Sequence, residues 1–85
     1  MMSNLKHGTV TWISRETGIV KLDFTLESLC FDPKLGKLFG SGENGLAWTE
    51  MSVGPPDTDE KLVLEVEGRK VIRWGFESQY REAAR

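Results

Sequence analysis

The chain has 85 residues, of which 39% are hydrophobic and 28% charged, and its net charge is −2. This length predicts one domain close to the smallest size that a single core stabilises, and this composition excludes a disordered chain. We expect no association with membranes, because no apolar run approaches the ~20 residues of a membrane span and the first seven residues contain no signal-like hydrophobic segment.

Charge is distributed unevenly along the chain. Residues 43–67 contain one lysine against seven acidic residues, whereas residues 68–85 contain five arginines and lysines against two acidic residues. The overall negative charge argues against sequence-independent binding of duplex DNA, which depends on many phosphate contacts. It leaves room for a local basic patch on one face of a sheet.

The single cysteine and single histidine limit the chemistry of the chain. One cysteine, Cys30, forms no internal disulfide and favours a reducing, cytoplasmic setting. We interpret Cys30 as a small buried hydrophobic residue. Two such ligands cannot form a four-ligand zinc site. The glycine-rich stretch Gly40–Gly45 lacks the Lys-Ser/Thr that ends a phosphate-binding loop, and the acidic residues of Ser52–Glu60 lack the spacing of a calcium loop. We therefore predict no metal, no cofactor and no enzymatic activity.

We predict that residues 1–7 form a flexible arm in which the side chain of His7 is solvated. Gly8–Phe24 then predicts a β-hairpin, because two runs of β-branched and aromatic residues flank a polar loop that ends in glycine. A hairpin centred on Glu16 has an apolar face with the pairs Trp12–Val20, Val10–Leu22 and Gly8–Phe24. Its other face has the pairs Ile13–Ile19, Thr11–Lys21 and Thr9–Asp23.

The middle of the chain predicts two further strands separated by loops. Leu26–Phe31 is expected to be a third strand, ended by a turn at Asp32–Pro33. The glycine-rich stretch Gly40–Gly45 is expected to be a loop. Leu46–Met51 is a fourth strand, and Ser52–Glu60 is a solvated acidic loop.

Leu62–Phe76 predicts a second hairpin, because a loop at Gly68–Lys70 pairs Val66 with Ile72, Leu64 with Trp74 and Leu62 with Phe76 on one apolar face. The same register places Glu65 opposite Arg73. A two-residue turn at Gly68–Arg69 is the alternative that this pattern disfavours. We expect Trp74 and Leu64 to be in the core, and core positions are also the first interpretation of Trp12 and Trp48. The last residues, 77–85, form a tail or a short helix. Five strands in one domain, with the sheet at residues 8–76, indicate a small barrel or a strongly twisted sheet.

Two stretches carry a resemblance to a known family. Gly8, Thr9, Val10, Trp12, Glu16 and Gly18 stand at the spacing of Gly-Thr-Val-Lys-Trp-Phe-Asn-x-Glu-Lys-Gly-Phe-Gly-Phe-Ile. Val63, Glu65, Val66 and Glu67, followed by Gly68–Lys70, fit Val-x-Phe-Glu-Val-Glu and a Gly/Lys-rich turn. Both patterns resemble the cold-shock domain, an OB-fold barrel that binds single-stranded RNA or DNA. The resemblance covers roughly a third of the chain and implies a five-stranded antiparallel OB-like barrel. An SH3-like barrel is the alternative, because it too opens with a Gly-x-Val ribbon.

The chain departs from this family at its base-stacking residues. Ile19 and Lys21 occupy the second-strand positions where the family has phenylalanines, and Leu29–Asp32 only echoes the family's Val-Phe-Val-His. Each lost aromatic platform removes ~1–3 kcal/mol of stacking. The tryptophan that matches Trp12 lies on the nucleic-acid face in the family. Trp12 takes that position here only if a bulge in the first strand redirects its side chain.

Two functions follow as hypotheses. The first is a non-enzymatic module that binds single-stranded nucleic acid in a regulatory role. Its predicted contact face holds Thr11, Ile13, Ile19, Lys21 and, given the bulge, Trp12. Phe31 is the expected stacking residue, and the expected phosphate contacts are Lys34, Lys37, Arg69, Lys70 and Arg73. The second is a protein-interaction module or homodimer that uses Ile13 and Ile19 as an apolar patch.

Overall fold

A long first strand organises the fold. The computed structural model describes residues 4–42 and 45–84, and in it strand β1 runs from Asn4 to Ile13. One edge of β1 pairs with β2 (Gly18–Leu22) and the other pairs with β6 (Lys61–Glu67), both antiparallel. Residues 4–7 of the predicted flexible arm are therefore strand, held by the ladder to β6, and that prediction is wrong for them. Residues 1–3 lie outside the described part of the chain.

Two more strands complete the main sheet. β3 (Ser28–Phe31) pairs with β2, and β7 (Lys70–Phe76) pairs with β6, so the five-stranded order is β3-β2-β1-β6-β7. Three consecutive strands followed by one that returns beside the first form a Greek key. This five-stranded antiparallel sheet fits the predicted small all-β barrel. The sheet curls so that β3 and β7 approach each other, with the ring of Phe31 edge-on to that of Trp74.

The inner face of the curled sheet carries the hydrophobic core. Trp74 and Leu64 are fully buried and directly paired, which confirms the prediction for both. The indole Nε1 of Trp74 donates a hydrogen bond to the carbonyl oxygen of Asp32 at 2.9 Å, so its polar atom is satisfied. The other buried members of this cluster are Val10, Val20, Leu22, Leu29, Phe31, Leu62, Val66 and Val71.

The register of the first hairpin differs from the prediction. Val10 pairs with Val20 and Gly8 with Leu22, two positions away from the predicted partners of β1. β2 ends at Leu22, and Phe24 lies beyond it with 97% of its surface exposed, so it does not pair with Gly8. The sequence pattern allowed this error because a shift of two residues keeps Val10, Val20 and Leu22 on the same face.

The second hairpin has the predicted register away from its turn. Leu62 pairs with Phe76, Leu64 with Trp74 and Glu65 with Arg73. Between Glu65 and Val66 a bulge shifts the ladder, so that Val66 pairs with Val71 and not with Ile72. The turn is therefore the two-residue Gly68–Arg69 alternative, with Gly68 at a φ of 66° that favours glycine.

A second, smaller layer is built from the middle and the end of the chain. After a 3-10 turn at Pro33–Leu35, β4 (Lys37–Gly42) pairs with β5 (Gly45–Ser52), and helix α1 spans Glu77–Ala83. The strand predicted at Leu46–Met51 and the short C-terminal helix are confirmed. The loop predicted over Gly40–Gly45 is wrong at both ends, which are strand; residues 43–44 lie outside the described residues. Glycine fits at Gly40 because a side chain there would press on Thr49.

This layer covers the outer face of β6 and β7. The ring of Phe39 packs on Gly75 and lies 4.0 Å from the Trp48 ring and 4.9 Å from the Tyr80 ring, measured between centroids. The side-chain amide of Gln79 accepts a hydrogen bond from the backbone N–H of Phe39 at 2.6 Å and donates one to its carbonyl at 2.7 Å. The helix is thereby fixed to β4.

The helix is also fixed to β1 through His7, the residue predicted to be solvated. Its Nδ1 lies 3.1 Å from Oε2 of Glu77, and its ring is edge-on to Tyr80. The other Glu77 oxygen lies 3.1 Å from Nη2 of Arg81. Within residues 4–42 and 45–84, no helix has the length and apolar character needed to cross a membrane.

Candidate nucleic-acid interface

No described segment covers the outer face of β1, β2 and β3, which displays a small set of side chains. We call this surface the open face, and it consists of Thr9, Thr11, Trp12, Ile19, Lys21, Ser28 and Cys30. Strand pairing arranges most of them in two rows. Trp12, Ile19 and Cys30 are neighbours across the three strands, and Thr9, Lys21 and Ser28 form the next row.

A bulge in β1 puts Trp12 on this face. The ladder to β2 shifts between Val10 and Trp12, which leaves Thr11 as the extra residue. The hydroxyl of Thr11 donates a hydrogen bond to the carbonyl of Ile19 at 3.3 Å and ties the bulge to β2. Because the bulge inverts the alternation of side chains, Trp12 points outward with 51% of its surface exposed. The prediction that Trp12 lies in the core opposite Val20 is therefore wrong.

The same bulge turns Ile13 in the opposite direction. Ile13 is half-buried and packs against the core, so its predicted place beside Ile19 on the outer face is wrong. Its partner in the ladder is Gly18, whose lack of a side chain leaves room for it. Thr11, Ile19 and Lys21 stay on the predicted face, with Lys21 exposed and Ile19 half-buried.

Phe31 cannot serve as the stacking residue. It is 4% exposed and belongs to the core, where its ring packs against Trp74 with a centroid separation of 5.8 Å. The alternation of β3 explains the error, because Leu29 and Phe31 face inward and Ser28 and Cys30 face outward. Cys30 is accordingly exposed and not buried as predicted. Among the residues that form the open face, Trp12 is the one aromatic.

The five predicted phosphate-binding cations do not gather around Trp12. The Nε of Arg73 donates to Oε1 of Glu65 at 2.6 Å, and its guanidinium lies over the Trp48 ring on the covered side of the sheet. Arg69 pairs with Glu27 at 2.7 Å, and Nζ of Lys37 lies 3.1 Å from the hydroxyl of Ser52 in the β4–β5 hairpin. Lys70 is exposed at the turn between β6 and β7, and Lys34 is exposed shortly after β3.

An acidic segment borders the open face along β1. The backbone N–H of Val10 donates to the carbonyl of Glu60 at 2.9 Å, and the N–H of Asp59 donates to the carbonyl of Val10 at 2.7 Å. These bonds place Asp57–Glu60 beside the strand that carries Trp12. Three acidic residues therefore lie at the β1 edge of the open face, and Lys21 lies on β2, the middle one of its three strands.

The described part of the chain offers no candidate site for a metal ion. Across residues 4–42 and 45–84, no group of three or more His, Cys, Asp or Glu side chains is arranged to hold a metal ion. Comparisons with protein-family models, with curated proteins and with solved structures find no match to this chain.

Proposed function

We propose that the protein binds single-stranded nucleic acid in a regulatory role, with the open face as its contact surface. The observation that carries this proposal is the exposed indole of Trp12, placed on the outer face by the bulge at Thr11. An exposed aromatic ring that a strand holds in place is a stacking surface for a base, and such stacking contributes ~1–3 kcal/mol per base. Ile19, its cross-strand neighbour, extends this surface with aliphatic contacts.

The charged side chains around the open face indicate where the phosphate backbone of the nucleic acid would run. Lys21 lies one row away from Trp12, two residues along β2 from Ile19, and Lys34 follows the adjacent strand β3. The carboxylates of Asp57–Glu60 on the opposite border repel phosphate. We infer that the single-stranded nucleic acid places its phosphates over β2 and β3 and directs its bases towards β1. With few cations involved, binding is weak and depends on salt.

The resemblance to the cold-shock domain supports the same surface. In that family the tryptophan that matches Trp12 lies on the nucleic-acid face. A bulge was the condition for Trp12 to take that position, and β1 has this bulge. The missing aromatic residues at Ile19 and Lys21 indicate a lower affinity than the family has, because each platform contributes separately.

The test is a titration of fluorescently labelled single-stranded oligonucleotides at ~50 and ~200 mM salt, followed by anisotropy. We expect binding at low salt that weakens at high salt. Trp12→Ala should lower the affinity about 5- to 100-fold, whereas Trp12→Phe should retain most of it. Met51→Ala is the matched control, because Met51 is similarly exposed on β5, away from the open face. Absence of binding at low salt, or equal effects of Trp12→Ala and Met51→Ala, would contradict the proposal.

A second candidate is a protein-interaction module, and one observation favours it. Trp12, Ile19 and Cys30 form an uncharged row across three strands, beside the acidic segment Asp57–Glu60. Such a surface suits a partner with apolar and basic groups, or a second copy of the chain. Light scattering over a range of protein concentrations tests the second copy. A dimer that Trp12→Ala dissociates would favour this function over nucleic-acid binding.

A further inference from the structure

A cleft lies next to the open face, at the tip of the first hairpin. It has a volume of about 360 Å³ and lies between residues 13–15 and the loop residues 55–57. Its walls are the side chain of Ile13 and the rings of Pro55 and Pro56, and its polar groups come from Ser14, Arg15 and Asp57. The cleft is open to solvent, and it combines apolar walls with a few polar groups, a mixture found in small-ligand sites.

Two of the three apolar residues of the cleft are held in place by the fold. Pro56 is buried and Ile13 packs against the core, whereas Pro55 is exposed. The hydroxyl of Ser14 is engaged within the hairpin, where it donates to the carbonyl of Thr17 at 2.9 Å. The backbone N–H of Asp57 donates to Oε1 of Glu60 at 2.9 Å and holds the loop. A preformed site loses less entropy on binding.

Two charged groups of opposite sign face this cleft. Within residues 4–42 and 45–84, neither Arg15 nor Asp57 has an oppositely charged partner within the 4.0 Å of an ion pair. Both side chains are exposed. The cleft therefore offers a fork of N–H donors and a carboxylate acceptor, with apolar walls between them.

We propose that this cleft binds a guanine base of the single strand held by the open face; the inference rests on the proposed function. Guanine displays the acceptors N7 and O6, which a guanidinium binds in a bidentate manner. It also displays the donors N1–H and N2–H on its pairing edge, which suit a carboxylate. Arg15 and Asp57 supply these two complements, and the flat base packs on the proline rings and Ile13.

Other bases fit this pair of groups less well. Adenine has a donor where guanine has the O6 acceptor, so it faces the guanidinium of Arg15 with the wrong group. Hypoxanthine keeps O6, N7 and N1–H but lacks the amino group that donates to Asp57. The base 7-deazaguanine keeps that amino group but lacks N7, the acceptor for Arg15. These analogues separate the two predicted contacts.

The position of the cleft permits both contacts by one strand. Ile13 directly follows Trp12, and the two side chains lie on opposite sides of β1. The ladder between β1 and β6 ends at Thr9, and the loop before β6 is hydrogen-bonded to the same edge at Val10. Beyond Val10, no described strand pairs with β1 on that edge. A single strand can therefore stack one base on Trp12 and pass a neighbouring base around the edge of β1.

The experiment measures the affinity of the full chain for a thymine oligonucleotide of about eight nucleotides with one variable base. We expect guanine to bind about 5- to 20-fold more tightly than adenine, and hypoxanthine and 7-deazaguanine to fall between them. Asp57→Asn should reduce the difference between guanine and hypoxanthine and part of that between guanine and adenine, because the amide keeps one acceptor oxygen but replaces the other with a donor. Arg15→Gln should reduce the differences between guanine and 7-deazaguanine and between guanine and adenine, and should leave that between guanine and hypoxanthine. Asp59→Asn is the control for base preference, because Asp59 belongs to the same acidic segment but does not line the cleft. Any gain in affinity from the lost negative charge should be equal for all bases.

The outcomes separate this inference from the proposed function. Equal affinity for all bases, with binding still dependent on Trp12, would overturn the guanine site and leave the open face as the contact surface. A guanine preference that survives both Asp57→Asn and Arg15→Gln would likewise overturn the assignment to this cleft. Failure of every oligonucleotide to bind would overturn both proposals.

Discussion

The two halves of one sheet differ on their outer face, although both follow the same alternation of side chains. On β6, Val63 points outward yet is fully buried, because helix α1 packs on β6 and strand β4 packs on the neighbouring strand β7. On β1, Trp12 also points outward but is half exposed, because no described segment returns over it. Alternation along a strand therefore determines only the direction of a side chain. The later course of the chain decides whether that direction leads to a core or to a surface.

The largest effect should separate two tryptophans on opposite sides of the sheet. Trp74→Ala removes a fully buried ring and should lower the free energy of unfolding by about 3–5 kcal/mol. That loss is a large part of the ~5–15 kcal/mol that a domain has. Trp12→Ala should change the free energy of unfolding by less than about 1 kcal/mol. Urea denaturation of both variants measures this, and similar midpoints would contradict the assignment of inner and outer faces.

One added methyl group should destabilise the half of the sheet on which α1 and β4 pack. In Gly75→Ala the new Cβ would lie 2.6 Å from the Phe39 ring and 2.8 Å from the carbonyl oxygen of Lys37. We expect a loss of about 1–3 kcal/mol because backbone must move. Gly54→Ala is the control, since no atom lies within 4 Å of its new Cβ. If thermal denaturation finds both variants equally stable, β4 does not pack on β7 as described.

A smaller effect is expected where the helix holds β4. Gln79→Ala removes both hydrogen bonds to the backbone of Phe39 and should lower the stability by about 1–2 kcal/mol. Exchange of the Phe39 amide hydrogen should become faster, while that of Val20 in the open half should keep its relative protection. Ser78→Ala on the exposed side of α1 is the matched control. Unchanged exchange at Phe39 would show that Gln79 does not cap this strand.

The smallest effect concerns the open half and leaves folding unaffected. Lys21→Gln should reduce the slope of log affinity against log salt by ~0.7 for a single strand, since one phosphate contact is lost. Lys37→Gln, in the β4–β5 hairpin where its Nζ lies 3.1 Å from the hydroxyl of Ser52, should leave that slope unchanged. The urea midpoints of both variants should match that of the native chain. Equal slopes for the two variants would remove Lys21 from the binding surface.

The sequence predicted most of the main sheet. Both hairpins, the third strand, the helix and the pairing of Leu64 with Trp74 followed from alternation and turn residues. The β4 strand was missed because Gly40 and Gly42 dominate its local pattern. Those glycines reflect close packing in a hairpin, which is a tertiary cause. The strand at Asn4–His7 was missed for a similar reason, because its polar residues are held by distant partners on β6.

The candidate site was less predictable, and a single bulge accounts for much of the difference. Periodicity alone put Trp12 inside and Ile13 outside, and one extra residue at Thr11 exchanges them. Such a bulge leaves no regular pattern in the sequence; only the resemblance to cold-shock domains hinted at it. The ion pairs of Arg69 and Arg73 join residues that the hairpins and loops bring together. The cleft at Arg15 and Asp57 joins segments about forty residues apart, which no local pattern links.

The most direct test of the open face is an NMR map of backbone amide shifts during titration with a single-stranded oligonucleotide. We predict that the largest shifts lie at Thr11, Trp12, Ile19, Lys21 and Cys30, with small changes on β4, β5 and α1. Comparison with Trp12→Ala distinguishes direct contact from a spreading structural change, because the variant should lose these shifts while staying folded. Shifts concentrated around Trp48 and Arg73, with the open face unchanged, would contradict the account.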